Sequence, residues 1–156
     1  MINITLPDGT IKQYPKGTTS MQIAESISMG LAQNVLSAKV DGEVWDASRP
    51  INADASLQLL TWNDKDGRAT FWHSSAHLMA EALESLYPGV KFGIGPAIET
   101  GFYYDIDTGD KTIGLADLEA IEKKMAELAG HKNHYIRKEV SKADACLLYT
   151  SPSPRD

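Results

Sequence analysis

Cysteine is almost missing from this 156-residue chain. The single one, Cys146, excludes an intramolecular disulfide framework. Long apolar runs are missing as well. The first residues, MINITLPDGTIKQYPKG, are interrupted by polar side chains every few positions. They contain neither a secretory leader nor a membrane span, which would need about twenty consecutive apolar residues. A cytoplasmic location with no membrane partner is the expectation. Positive charge is in deficit: fifteen Lys and Arg stand against twenty-one Asp and Glu, for a net charge of -6. A broadly basic nucleic-acid-binding surface is thereby excluded, because phosphates are neutralised by an excess of Lys and Arg. A local contact with RNA stays compatible with this charge. What is present is a hydrophobic fraction of 42%, enough to bury a core but on a chain too short for a large multi-domain enzyme.

Two textures divide the chain. From Met1 to Trp62 short apolar clusters alternate with turn signals. From Asn63 onward the periods lengthen, and all four histidines, His73, His77, His131 and His134, fall there. The stretch NDKDGR at 63–68 reads as a joint, polar throughout except for Gly67, which relaxes the backbone.

In the first part, Ile2, Ile4 and Leu6 alternate with polar residues, Pro7-Asp8-Gly9 supplies a turn, and Thr10 to Tyr14 returns as the second arm of a hairpin. Thr18, Thr19 and Ser20 offer an N-cap to a helix whose apolar stripe is Ile23, Ala24 and Ile27, ending near Gly30, with a brief helical turn after it at Leu31 and Ala32. Ser37 to Val40 and Glu43 to Trp45 flank Asp41-Gly42 as a tight hairpin, and Leu57 to Thr61 completes the strands. Paired strands, one helix, then further strands within about sixty residues is the order of a β-grasp module, in which the helix covers the apolar face of the sheet.

The second part opens on the clearest helix, Phe71 to about Leu86, stopped by Tyr87-Pro88-Gly89. Val90 to Ile94 and Gly101 to Ile106 read as strands joined by the GIGPAIETG loop. Asp117 to Leu128 carries Leu118, Ile121, Met125 and Leu128 at helical spacing, with a surface pair between Glu119 and Lys123. His134 to Val140 reads as another strand, and Ser141 with Asp144 resembles a capping box.

Chemistry concentrates at His73 and His77. A separation of four stacks both imidazoles on one helix face, which suits two ligands of one metal, two groups touching one substrate, or two side chains that merely pack and hydrogen-bond. A zinc-protease helix needs Glu after the first histidine; Ser74 stands there. A metal would also need a third ligand, and neither Cys146, His131 nor His134 is placed by the sequence to supply it. Asp105 and Asp107 lie two apart, on one face of a strand, and read as a solvated strand end rather than a catalytic pair. Phe102, Tyr103 and Tyr104 read as sheet packing before base stacking. Gly93, Gly95 and Pro96 lack the glycine-lysine-serine ending of a phosphate loop. Lys123-Lys124 and Arg137-Lys138 read as solvated faces rather than contacts with a nucleic-acid backbone. Trp62 and Trp72 flank the joint and are placed to pack the two parts together.

ITLPDG at Ile4 to Gly9, HSSAHLMAEAL at His73 to Leu83 and IGPAIETGFYYDID at Ile94 to Asp107, in that order, resemble the amino-terminal part of bacterial threonyl-tRNA synthetases. The resemblance implies an α+β chain: a β-grasp TGS domain at 1–62, a linker at 63–68, and the incomplete first part of an α/β editing domain at 69–145. It also implies a parent that attaches threonine to tRNA(Thr) with ATP and hydrolyses Ser-tRNA(Thr), with His73 and His77 in the editing pocket. Their roles there would be to orient the aminoacylated ribose or a water, or to relay protons. The family's second pocket element, CxxxH, is not reached in these residues. By the same resemblance, ATP and Zn2+ belong to a catalytic domain elsewhere, this segment holding no cofactor, and the parent is a homodimer through other domains. The last eleven residues, CLLYTSPSPRD, resemble translated sequencing adapter and are expected to be an artefactual tail at 146–156. The competing reading is a free-standing TGS-type regulatory or RNA-binding module; a complete small zinc hydrolase would require the third ligand. On the first reading the purified chain shows no threonine-dependent ATP turnover and no efficient clearance of Ser-tRNA(Thr). Measured pyrophosphate exchange above background overturns it.

Overall fold

The computed structural model describes residues 1–134 and 136–145, so the expected tail, with Cys146, lies outside the described residues. Strands β1 (Ile2–Thr5) and β2 (Ile11–Tyr14) form the expected hairpin, with Ile2 opposite Tyr14 and Thr5 opposite Ile11. Alternation puts Ile2 and Ile4 on the buried side. A short strand β3 (Thr18–Thr19) leads into helix α1 (Ser20–Ile27). Thr19 is the N-cap: its hydroxyl accepts from the Gln22 N–H at 3.2 Å, and the Gln22 side chain accepts from the Thr19 N–H at 3.0 Å. Ser28 closes α1 and also caps helix α2 (Met29–Asn34), so the second helical turn is a separate element and begins before Gly30.

Strands β4 (Ser37–Val40), β5 (Glu43–Trp45) and β7 (Ala55–Leu60) follow, with β6 (Pro50–Ile51) paired to β3. The five-stranded sheet runs β2-β1-β7-β4-β5. Only its central β1–β7 pair is parallel; its other pairings are antiparallel. Two edge hairpins joined through a parallel centre, with α1 across one face, is the β-grasp arrangement, and the chain is α+β. The core is Ile2, Ile4, Ile23, Ala38, Val40, Ile51 and Leu57. Each fully buried Ile or Leu here contributes about 1.5–3 kcal/mol relative to exposure.

Helix α3 (Lys65–Leu86) starts six residues earlier than the apolar period suggests. The stretch expected as a relaxed joint is therefore largely its first turn. Asp64 accepts the Thr61 N–H at 2.9 Å, and Arg68 reaches back to the Trp62 and Asn63 carbonyls at 2.9 and 3.1 Å. Two of the polar residues that look like a linker, Asp64 and Arg68, are thus bonded to the backbone just after β7. Gly67 is buried and helical, and its role is close approach rather than looseness.

The next segment differs from two strands with a loop between them. Strands β8 (Lys91–Phe92) and β11 (Ile106–Asp107) pair, and inside them β9 (Ala97–Ile98) and β10 (Gly101–Phe102) pair around Glu99-Thr100. It is one interrupted hairpin. Continuity is kept by the Gly93 N–H to the Asp105 carbonyl and the Asp105 N–H to the Ile94 carbonyl, at 2.8 and 2.9 Å. Pro96, which has no N–H, breaks the ladder. Helix α4 (Leu115–Gly130) begins beside the end of α3, where burial and then the nearby Asp117 carboxylate push the Tyr87 phenol above its ordinary value. Of the stripe expected on α4, Ile121 is buried, Met125 and Leu128 are half-buried, and Leu118 is exposed. The ion pair formed on this helix is Lys124 to Glu127 at 3.2 Å rather than the expected Glu119–Lys123.

The strand expected over His134 to Val140 is not formed by its described residues, 134 and 136–140, and Tyr135 lies outside the described residues. Ile136 and Val140 are exposed, and a strand without a hydrogen-bonded neighbour is not stable in water. The Ser141–Asp144 cap does form: the Ser141 hydroxyl accepts the Asp144 N–H at 3.1 Å, and residues 142–145 are helical. Among the described residues no helix is long and apolar enough to cross a membrane.

Carboxylates tie the sheet's loops together. Asp54 accepts from the Asn3 N–H at 2.8 Å and the Asn3 amide at 3.1 Å, clipping β1 to the approach of β7, and these hydrogen bonds hold its pKa below the usual 3.8. Asp8, bonded to Thr10, and Asp66, bonded to Lys39, are lowered too. Groups with depressed folded pKa contribute stability that is present above the unfolded value and lost as pH falls through the folded one. Urea midpoints of the chain and of D54A are therefore expected to differ near pH 7 and to converge as pH drops below about 3.8. A gap that stays constant across that range contradicts the charge-based clip.

Candidate functional site

α3 carries His73 and His77 on one face, as the spacing requires, and the structure brings the two rings together. Their Nε2 atoms lie 3.1 Å apart, and the ring centroids are 4.6 Å apart at an interplanar angle of 74°. A hydrogen bond between two imidazole nitrogens needs a proton on one Nε2 and a bare lone pair on the other. The pair therefore holds one proton between two rings. His73 is exposed and His77 is half-buried, so the pair opens on solvent. Such a pair accepts a proton from a bound water or hydroxyl at one ring and delivers a proton from the other, which is general acid–base work.

The remaining histidines do not join them: His131 caps the end of α4, and His134 is exposed beyond it. Among the described residues, no group of three or more His, Cys, Asp or Glu side chains could hold a metal ion. The chemistry that the geometry supports is proton transfer and hydrogen bonding. A cleft of about 940 Å3 lies elsewhere, between the Trp45–Ala55 region and Ile136, Arg137 and Glu139.

The other candidates are accounted for by structure. Asp107 accepts the Gly109 N–H at 2.8 Å in a turn, while Asp105 bonds across the hairpin through its backbone, so they do not form a carboxylate pair. Phe102 packs on Trp72 with centroids 6.2 Å apart, and Tyr104 on Phe92 at 5.3 Å; Tyr103 is half exposed. The glycines of the loop serve that packing, since a Cβ on Gly95 would sit 2.5 Å from the Tyr104 ring. Arg137 pairs with Glu139 and Lys124 with Glu127, so two of the four basic groups lie beside carboxylates. Trp62 and Trp72 do meet, at 5.5 Å, and both contact Phe71, at 5.2 and 5.4 Å. The aromatic group spans the end of β7 and the first turns of α3.

Three contacts that hold the histidine helix escape sequence reading. Lys39 on β4 pairs with Asp66 at 2.8 Å. Thr70 hydrogen-bonds to buried Ser37 at 3.0 Å. Gly67 lies against the Thr61 carbonyl. The first two are long-range and leave no trace in spacing. The third had a signal, because a glycine inside a helix costs about 1 kcal/mol and so points to a packing reason.

The hydrogen bond between the imidazoles fixes complementary tautomers. Long-range proton–nitrogen spectra of the chain at mildly alkaline pH are expected to show one ring protonated mainly on Nε2 and the other mainly on Nδ1. In H77A, His73 is expected to return to a tautomer mixture. Identical His73 populations in the chain and in H77A rule the bond out.

Residues 2–61 match the TGS domain family. Over 150 residues, 96% of its length, the chain is 69% identical to a threonine--tRNA ligase of Cytophaga hutchinsonii. It is 61% identical to that of Parabacteroides distasonis and 56% to that of Bacteroides fragilis, each over 149 residues. In all three it spans 23% of the relative's length. Residues 2–61 are thus similar to TGS domains, and the chain as a whole is similar to bacterial threonine--tRNA ligases, of whose length it spans 23%.

Proposed function

We propose that this chain is the amino-terminal part of a threonine--tRNA ligase, and that the segment from residue 69 onward begins a domain that hydrolyses serine wrongly joined to tRNA(Thr). The single observation that carries the ligase reading is 69% identity over 96% of the chain. The hydrolytic reading is supported by the His73–His77 pair at 3.1 Å on an open helix face. The parent joins threonine to tRNA(Thr) at the expense of ATP, acts in the cytoplasm, and dimerises through parts outside this chain. ATP and zinc chemistry belongs to those parts as well; among the described residues no group of side chains makes a metal site.

A hydrolytic site answers a physical limit. Serine lacks one methyl relative to threonine, and a missing group of that size is worth only about 1–3 kcal/mol in a binding pocket. A second site that accepts the smaller amino acid removes what the first lets through. The bond to break is the ester between the seryl carbonyl and a ribose oxygen. Water attacks the carbonyl carbon, giving its proton to a bare imidazole nitrogen. The ribose oxygen leaves and takes a proton from the paired ring, so that serine and free tRNA result. The hydrogen-bonded histidines supply both the acceptor and the donor within one helix turn.

In the complete ligase, H73A and H77A are expected to lower Ser-tRNA(Thr) deacylation by about 10²-fold or more while threonine charging proceeds. Deacylation at the parental rate in both variants removes the histidines from the reaction.

A further inference from the structure

The histidine pair is internal to α3, but where the pair points is decided at the first turn of the helix. Gly67 packs its bare Cα onto Thr61, the residue that follows β7: a Cβ there would lie 2.1 Å from the Thr61 oxygen, 2.9 Å from its carbonyl carbon and 3.2 Å from its nitrogen. All three are backbone atoms, which cannot swing aside as a side chain could. Around this contact stand the Lys39–Asp66 ion pair at 2.8 Å, the Thr70–Ser37 hydrogen bond at 3.0 Å, and the two hydrogen bonds from Arg68 to the carbonyls of residues 62 and 63. Trp62 stacks edge-on against Phe71 and Trp72 one turn further along. His73 follows Gly67 by six residues, about 9 Å along the helix axis. No flexible residue intervenes, since α3 is continuous from Lys65 to Leu86.

We propose that Gly67, with Thr70 and the Lys39–Asp66 pair, forms a rigid coupling that makes the TGS sheet the positioning element for His73 and His77. This rests on the hydrolytic reading above, which supplies the substrate that the pair must meet. The TGS module is then neither a tethered bead nor an independent binding unit. It is the base from which the histidine helix is aimed.

The magnitude follows from the contact. An added methyl on Gly67 must retreat from 2.1 Å to the 3.4–4 Å of ordinary contact, so the helix lifts or rotates by more than about 1 Å. A displacement of that size between catalytic groups and substrate costs on the order of 10²-fold in rate. The histidines keep their mutual geometry, because their bond lies within the helix.

The test uses the complete ligase carrying G67A, with T70V as the milder variant should G67A not fold. G67A is expected to lower kcat for Ser-tRNA(Thr) deacylation on the order of 10²-fold, with KM for the tRNA and threonine charging little changed and the paired histidine tautomers retained. T70V is expected to lower kcat several-fold in the same pattern. Parental deacylation in a folded G67A, or in T70V where G67A does not fold, while H73A is inactive, overturns the coupling. If H73A and H77A are themselves fully active, the hydrolytic reading fails instead. The coupling is then judged on the 156-residue chain alone by residual dipolar couplings: one alignment tensor for the TGS strands and α3 supports it, and separate tensors overturn it.

Discussion

A helix backbone can approach a carbonyl of another segment to contact distance only where it carries no side chain. That constraint sits at Gly67, against Thr61, and much of the architecture follows from it. Thr61 directly follows β7, whose last residue, Leu60, is paired with Ser37 of β4, so the carbonyl sits beside a strand already anchored in the sheet. A helix resting there inherits the rigidity of the β-grasp core. The ion pair and hydrogen bonds nearby are partly exposed and individually worth little. Their effect is to select one rotation of a helix whose height above the sheet the glycine has already set.

The β-grasp part was legible because its signals are local and agree with one another. Alternation at Ile2 and Ile4, a turn at Pro7-Asp8-Gly9, the Thr19–Gln22 cap and the Asp41-Gly42 turn each specify one element, and those elements have one economical way to bury their apolar faces. Asp41 accepts a φ of 48° and Gly42 one of 85°, the left-handed pair that a two-residue hairpin turn requires. Where local signals mislead, the reason is long-range. NDKDGR has linker composition, yet Asp64 and Arg68 bond to the backbone of residues 61–63 and Asp66 to Lys39, so polarity there marks bonding as well as solvent. Residues 134–140 have a strand's alternation, but alternation does not supply a neighbouring strand. The GIGPAIETG stretch looks like a connecting loop because its glycines and proline are loop residues. In fact the glycine at 95 makes room for the Tyr104 ring, and Ala97-Ile98 pairs in the hairpin.

The candidate site divides in the same way. That His73 and His77 meet was legible from a spacing of four, since helix geometry alone brings such side chains together. Nothing in the spacing says which nitrogens face each other, how open the pair is, or what holds the helix. The 3.1 Å bond and the exposure of His73 leave the pair open to solvent, whereas a buried pair of the same spacing would be packing.

The two parts of the chain differ in how much of their order each can supply for itself. The sheet closes over α1 with Ile4, Ile23 and Ile51 essentially without exposure. α4, by contrast, buries Ile121 and leaves Leu115 and Leu118 open, and α3 buries mostly alanines against it, so little apolar area is removed from water per residue there. Local helix geometry is enough to keep two imidazoles in contact under those conditions, but it is not enough to aim them. Aim requires a reference that does not move, and within the described residues the well-buried reference is the TGS sheet. Two imidazoles on the helix that leaves that sheet, two turns from the point of attachment, therefore take their direction from the sheet rather than from the thinly packed second part.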